Sequence, residues 1–562
     1  MFTKNHQINK REIEYETDNF FVLADANISF IDTFFKDPSQ LNVENNIQKL
    51  KNGYVILVNK KNNTIKLYTD IFGYYQLFYI ISDQSITISS DFKSLLPLSR
   101  KEPDEFAALD LILFNYTLKD RTLISDIKLL KGGGYIEINN HSFSMDSVNN
   151  FSENYEAKFQ HDKIHFTDFA EKLTKSLMEE IIYGEQINLT MTGGFDSRAL
   201  LAICKNENLE FNTITFGQIN NIEQETIKGF IYDYSNKHKF IELDNDYIDN
   251  LPLILFNYLN LNLDNPVTLD LLHYVYVKQH LNPSNLITGF MGGELLMGPS
   301  IGSQVMLSKL SADVLVALDI KTLHNKLLSS ICNFDFINNQ YLESIINEYI
   351  QTISNYFYKD DKSNILDFLV NEIFRKFFGA VNKIFKNSSN LITPFMDPNV
   401  IKLLLDSKMS FLLKQPLKQN PVSNLNTKMF YAKSIIHIFP HLANTKLDRL
   451  YTIKDISNYF NLSKALYGYF QSHILKKNKK NFLRPHNYDV WFEKLIFVHD
   501  NKKSFPTISN ILNNNFVLSR EQYKNYLPHE KKKIINLFSI EKSYELINKY
   551  GKTENESYIR SN

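Results

Sequence analysis

Cysteine is almost missing from this chain: 562 residues contain two, Cys204 and Cys332. That excludes a disulfide framework and suits a reducing compartment. Net charge is missing too, because 62 basic residues balance 62 acidic ones. No global field therefore draws the chain to nucleic acid or to an anionic membrane. No apolar run approaches the ~20 residues needed to span a bilayer. Met1-Phe2-Thr3-Lys4-Asn5-His6 lacks the apolar core of a secretion signal. The expectation is a soluble, cytoplasmic protein. Zinc-type spacing is absent: Pro440 breaks the helix that would align His437 with His441. Against these absences stand 43% hydrophobic and 13% aromatic residues. At this length they imply two or three domains.

The most informative stretch is Ile187-Asn188-Leu189-Thr190-Met191-Thr192-Gly193-Gly194-Phe195-Asp196-Ser197-Arg198. It reads as a short apolar strand, a Gly-Gly turn and a helix opening on Asp-Ser. Such a turn leaves backbone N–H groups free, lets an anion come close and adds the helix dipole. A carboxylate there would repel a bare phosphate, so Asp196 makes sense as a ligand of Mg²⁺ bridging to phosphate oxygens. The lysine of a P-loop does not follow the glycines. A strand–turn–helix corner with glycines for geometry alone is the plain alternative.

Thr192-Gly193-Gly194-Phe195-Asp196-Ser197 resembles the Ser-Gly-Gly-x-Asp-Ser pyrophosphate loop of ATP-pyrophosphatase enzymes, with Thr for the leading Ser. Leu286-Ile287-Thr288-Gly289-Phe290-Met291-Gly292-Gly293-Glu294-Leu295-Leu296-Met297-Gly298 resembles a second motif, Ser-Gly-Glu-Gly-x-Asp-Glu-Leu-Phe-Gly-Gly. Together they point to the asparagine synthetase-like superfamily, which includes asparagine synthetases, β-lactam synthetases and lasso-peptide cyclases. In the second motif the family's first Glu is Phe290, and its Mg²⁺-sharing Asp is Gly293. Only Glu294 survives as a carboxylate. Thr393-Pro394-Phe395-Met396-Asp397 resembles the family's Pro-Phe-Leu-Asp segment, with Asn390 and Ile392 where it carries Glu and Arg. Arg375 is a candidate for the lost positive charge. Lys428-Met429-Phe430-Tyr431-Ala432-Lys433 leads to Phe439-Pro440, as the family's chain does before its catalytic Lys. Lys446 and Arg449 flank that position, and Lys446 is preferred.

The resemblance implies that backbone at Thr190, Phe216, Thr288 and Gly289 contacts adenosine. It implies phosphate contacts from Thr192, Gly193, Gly194 and Ser197, Mg²⁺ on Asp196, and a catalytic set of Lys446, Arg449 and Glu294. His238 stands in a family-like spacing after Glu223, but a structural histidine is favoured over a catalyst.

Residues 1–150 read as short strands in a β meander: 54–58, 64–68, 77–81 and 85–89. Asp70-Ile71-Phe72-Gly73-Tyr74-Tyr75-Gln76-Leu77-Phe78-Tyr79 resembles the Asp-x-x-Gly-x-x-Pro-Leu-Tyr-Tyr segment of glutamine amidotransferase domains. Lys131-Gly132-Gly133-Gly134-Tyr135 reads as a tight turn, since no helix follows it. That family's glutaminase uses an N-terminal cysteine, and this chain has Phe2. Without a thiolate that route to glutamine hydrolysis is closed. Residues 140–165 read as the connection to the next domain.

Further on, Phe169, Leu173, Leu177 and Ile181 mark one face of a helix starting near Phe166. Strands at 212–217 and 239–243 bracket a helix near 223–237. Alternating strands and helices imply a parallel sheet with ligands at its carboxyl edge. Beyond Arg449 the pattern is helical and aromatic, with Trp491, Phe492, Leu495 and Phe497, and basic runs at 476–480 and 531–533 read as solvated helix faces.

The expected fold is α/β: an Ntn-type (glutamine amidotransferase-like) α+β sandwich over 1–150, without activity; a parallel-sheet ATP-pyrophosphatase (adenine nucleotide α hydrolase-like) domain over 160–450; and a helical extension over 451–562. The implied activity is an ATP- and Mg²⁺-dependent ligase. It would adenylate a carboxylate and form an amide, lactam or macrolactam on a small-molecule or peptide substrate, releasing AMP and pyrophosphate. A lasso-type role would add a precursor peptide and a partner protease; no nucleic acid or membrane is expected. Ammonia-dependent asparagine synthesis and a degenerate nucleotide-binding or scaffold protein are the alternatives.

Overall fold

The structure, a computed structural model, describes residues 12–26, 50–82, 85–139, 142–147, 165–235, 237–266, 269–297, 306–316, 320–332, 342–354, 363–386, 388–405, 407, 425–447, 450–478, 486–498, 500–509, 512 and 516–559. Phe2 and Arg449 lie outside the described residues, as does most of the expected connection.

The N-terminal strands are β1 (Glu12–Glu16), β2 (Phe20–Asp25), β3 (Tyr54–Asn59), β4 (Thr64–Thr69), β5 (Phe78–Ser82), β6 (Ser85–Ser89), β7 (Ile127–Leu129), β8 (Gly134–Asn139) and β9 (Ser142–Ser147). They form two antiparallel sheets, ordered β1-β2-β3-β4-β8-β9 and β6-β5-β7, rather than one meander. The reason is legible in β5, which is apolar on both faces. Phe78 and Ile80 enter the main core, while Leu77 and Tyr79 join Leu67 and Ile136 in a smaller cluster between the sheets. A strand of that kind has to be covered on both sides. The expected connection also starts too early. Ser142–Ser147 alternates polar and apolar residues and pairs with β8 along its whole length.

The turn after β4 is built on Asp70, whose carboxylate accepts from the backbone N–H groups of Phe72, Tyr74 and Tyr75 at 2.8–3.1 Å. Gly73 takes φ +65 and packs against Gly132 of the next glycine turn, so that run is a tight turn as expected. Arg375 closes the same corner. It is 1% exposed and donates to the carbonyls of Leu130 and Lys119. It therefore ties the N-terminal sheets to the helix Arg375–Phe385 and is not among the residues that line the cavity described below.

Next comes a five-stranded, wholly parallel sheet: β10 (Ile187–Thr190), β11 (Asn212–Gly217), β12 (His238–Glu242), β13 (Asn285–Ile287) and β14 (Asn390–Ile392). Its order is β12-β11-β10-β13-β14. The chain builds outward from β10 to β12, then returns to the other side of β10 with β13. The carboxyl ends of β10 and β13 thus flank a topological switch point. The helix Phe166–Met178 buries Phe169, Leu173 and Leu177. The helix expected near 223–237 is shorter, Ile222–Lys228, and ends at Gly229 before a turn at Ile231–Asp233. His238 opens β12, at the amino edge of the sheet, and its Nδ1 lies 3.0 Å from Thr213 Oγ1. It is a structural histidine.

The C-terminal part is mostly helical but adds a two-stranded ladder, β15 (Lys502–Ser504) with β16 (Val517–Ser519). It is no appendage. The long helix Pro528–Ile559 lies on the helix Glu105–Phe114, with Asn536 Nδ2 donating to Leu111 O at 2.7 Å and Tyr544 OH to Leu123 O at 3.0 Å. Lys532 pairs with Asp270, and Lys532 and Lys533 are both 8% exposed, so the run 531–533 is not a solvated face. One apolar core holds residues from Ile71 to Ile547. Among the described residues no helix is long and apolar enough to cross a membrane.

Candidate functional site

The Gly-Gly turn joins β10 to the helix Phe195–Asn206, whose N-cap is Gly194 and whose first turn has no side-chain cap. Its N-terminal N–H groups are therefore not occupied by a capping side chain. Ser197 closes the turn from inside. Its Oγ accepts from Thr192 N at 3.1 Å and donates to Thr192 O at 3.0 Å, while Thr192 Oγ1 accepts from Gly194 N at 3.3 Å. Thr190 Oγ1 donates to Ile287 O at 3.2 Å, which locks the end of β10 to the end of β13.

The second loop descends onto this turn. A Cβ on Gly289 would lie 2.8 Å from Asp196 Cβ, and one on Gly292 would lie 2.6 Å from Asp196 Oδ1. Both glycines are required by this approach. Met291 between them takes φ +70 while buried, a strained backbone of the kind found at functional loops. Asp196 Oδ1 is sealed from solvent without a hydrogen-bond partner. Burial and the neighbouring Glu294 charge push the Asp196 carboxyl up to about 7, against the Gly293 N–H and the Tyr431 phenol beside it. Burial also raises Glu294. Two carboxylates, one with an orphaned oxygen, fit a hard cation that takes its remaining ligands from phosphate and water. Among the described residues no cluster of three or more His, Cys, Asp and Glu side chains converges on a metal position.

Thr190, Thr192, Asp196, Ser197, Phe216, Thr288 and Gly289 line one cavity of about 230 Å³ at the switch point. The structure thus brings together seven of the twelve residues singled out in the sequence. Gly193 and Gly194 form the turn itself, and Glu294, on the helix Gly292–Met297, is close enough for its charge to act on Asp196. Aromatic side chains, Phe216, Tyr274, Phe385 and His486, also line the cavity, together with the Glu223 carboxylate. Phe290, also in the lining, packs on Tyr274 and Phe378, with ring centroids 5.8 and 5.7 Å away. Sequence reading missed Tyr274, Phe385, His486 and Tyr431. Nothing in their local spacing marks them, because each arrives from a distant helix or helix entry.

Lys446 is elsewhere. It is exposed and lines a separate cavity of about 550 Å³ with Phe230, Tyr234 and His441. Thr445 and Leu447 on either side of it are buried, so strand-like alternation turns Lys446 outward. The buried cation at that corner is Arg198, which donates to Thr445 Oγ1 at 3.1 Å and Lys446 O at 2.7 Å and lies 3.8 Å over the Phe230 ring.

The Pro394-Phe395-Met396-Asp397 segment is held by a buried ion cluster. Lys51 Nζ lies 2.5 Å from Asp397 and 3.0 Å from Glu180. Burial works against the Lys51 charge, but the two carboxylates outweigh it and raise its pKa, while Asp397 is lowered. Just upstream, Ile392 O accepts from Thr288 N at 3.0 Å, which connects this buttress to the site.

No protein-family model matches this sequence, and no curated protein is significantly similar to it.

Proposed function

We propose that the protein is an ATP- and Mg²⁺-dependent ligase of the asparagine synthetase-like type. It adenylates a carboxylate and passes the acyl group to an amine, releasing AMP and pyrophosphate. One observation carries the reading: two glycine turns at the carboxyl ends of β10 and β13 close on Asp196, whose Oδ1 has no partner, in the wall of a cavity also lined by aromatic rings. Mg²⁺ bound there would neutralise phosphate charge beside the acyl transfer. Asp196 and Glu294 would hold it, and Thr192, Ser197 and the uncapped helix N-terminus would orient pyrophosphate. Phe216 and the backbone at Thr288 and Gly289 would flank adenosine. The two N-terminal antiparallel sheets fit an Ntn-type sandwich without its nucleophile, so the amine belongs to the substrate rather than to glutamine. An amide, lactam or macrolactam product follows, in the lasso case from a precursor peptide.

The second reading is a nucleotide-binding scaffold, favoured by Gly293 in place of the family Asp and by Lys446 facing another cavity. Hydroxylamine trapping separates the two. The ligase yields AMP and an acyl hydroxamate when supplied with a carboxylate substrate panel and Mg·ATP. ADP as product, or a hydroxamate formed without AMP, contradicts the mechanism. If added ammonium replaces a tethered amine, the enzyme is an ammonia-dependent asparagine synthetase instead.

A further inference from the structure

The crevice contains a polar group that the phosphate chemistry does not use. His486 comes from the C-terminal part of the chain, almost three hundred residues after β10, and lines the same cavity as Thr190 and Gly289. Its ring stacks on His273 with centroids 4.5 Å apart and planes 25° apart, and Phe216 lies 6.2 Å from it. Nδ1 of each imidazole is sealed from solvent without a hydrogen-bond partner. Burial, which outweighs the nearby Asp270, holds the His486 ring neutral by pushing its pKa down to about 4. A neutral imidazole offers a flat face, with one ring nitrogen donating and the other accepting according to its tautomer. The rest of the lining at this wall combines apolar side chains, including Ile214, Val277 and Leu286, with the Glu223 carboxylate. Such a slot suits a planar heteroaromatic ring that carries a few polar edge atoms.

We propose that His486 is the nucleobase-recognising wall of this crevice, its neutral ring face stacking on a purine. This rests on the nucleotide reading above for the phosphate end alone. The C-terminal part of the chain then contributes directly to ligand selection, and His273 acts as a positioning residue behind it.

The chain's single tryptophan reports on this wall, since the Trp491 ring lies 6.0 Å from that of His486. Trp491 emission of the full-length protein is titrated with adenosine, which has no phosphate, and separately with Mg²⁺ and inorganic pyrophosphate, which has no base. Adenosine is expected to change the emission saturably. His486→Leu is expected to weaken adenosine binding by about tenfold to a hundredfold, the range set by loss of base–aromatic stacking, with pyrophosphate affinity unchanged. His486→Phe, which keeps a flat ring face, is expected to recover most of the loss. Pyrophosphate binding without adenosine binding overturns the base wall and leaves the phosphate site standing. Adenosine binding that depends on His486, without pyrophosphate binding, supports the wall and removes the phosphate site. Equal adenosine affinity in wild type and His486→Leu, or no binding of either ligand, overturns the proposal. Where His486→Leu fails to fold, His486→Ala is titrated in its place, with the same expected loss and the same overturning result.

Discussion

Gly292 has room for a hydrogen and nothing larger, because a Cβ there would lie 2.6 Å from Oδ1 of Asp196. The loop after β13 is thus shaped around one carboxylate on the helix after β10. Gly292→Ala is expected to displace that carboxylate and weaken Mg²⁺-dependent nucleotide binding by at least about tenfold, or ~1.4 kcal/mol. Gly289→Ala meets Asp196 Cβ at 2.8 Å, an atom with less freedom to move. It is expected to cost ~1–3 kcal/mol of stability as well. Calorimetric titration and urea unfolding read the two effects.

Asp196→Asn removes a charge that sits beside Glu294 with an oxygen unpartnered. A residue kept for binding at the expense of the fold predicts an inverse pair of effects. The variant is expected to unfold ~0.5–2 kcal/mol later than wild type and to lose Mg²⁺-dependent nucleotide binding. A variant that is less stable and still binds would show that Asp196 is a structural cap.

His486 supplies a pH dependence with a definite sign. Its folded pKa is pushed down to about 4, below the ordinary ~6.5 of an unfolded histidine. Above pH ~6.5 both states are neutral and the contribution is fully present; below it the unfolded state takes the proton first, and stability falls until pH reaches the folded value. The loss approaches ~3 kcal/mol, less in proportion to the ring's partial exposure. His273 is lowered for the same reason, burial, and steepens the decline. Thermal unfolding from pH 7 to 5 measures it, and a His486→Phe protein is expected to show a shallower slope.

Much of the site was legible because its chemistry is local. A strand, two glycines and Asp-Ser within a few residues define the first turn, and Leu286–Gly298 repeats the logic. Strands 54–58, 64–68, 85–89 and 212–217 were found within a residue or so, since alternating or continuous apolar runs leave few other solutions. Partners joined over long sequence distances were not legible. Nothing near Asn390 shows that it begins the fifth parallel strand, bonded to Asn285 Oδ1 at 2.9 Å. Nothing near His486 shows that it enters the crevice. Lys446 was placed by analogy with a spacing, whereas the alternation of Thr445, Lys446 and Leu447 decides which way it points.

Lys51 is another such long-range partner. It is 7% exposed and sits between Glu180 and Asp397. Lys51→Met leaves two carboxylates buried without their counter-ion, and the expected cost is ~3–5 kcal/mol. Because Asp397 closes the segment after β14, nucleotide affinity is expected to fall in the variant even under conditions where it remains folded. Urea unfolding and calorimetry at low temperature separate the two losses.

The most direct test is calorimetric titration of the wild-type protein and Asp196→Ala with a non-hydrolysable ATP analogue, with and without Mg²⁺. Wild-type binding is expected to require Mg²⁺, to disappear in Asp196→Ala and to raise unfolding stability by about 2.7 kcal/mol at one hundred times Kd. Wild-type protein that does not bind the nucleotide, or that binds it equally well without Mg²⁺ and without Asp196, would contradict the ligase reading.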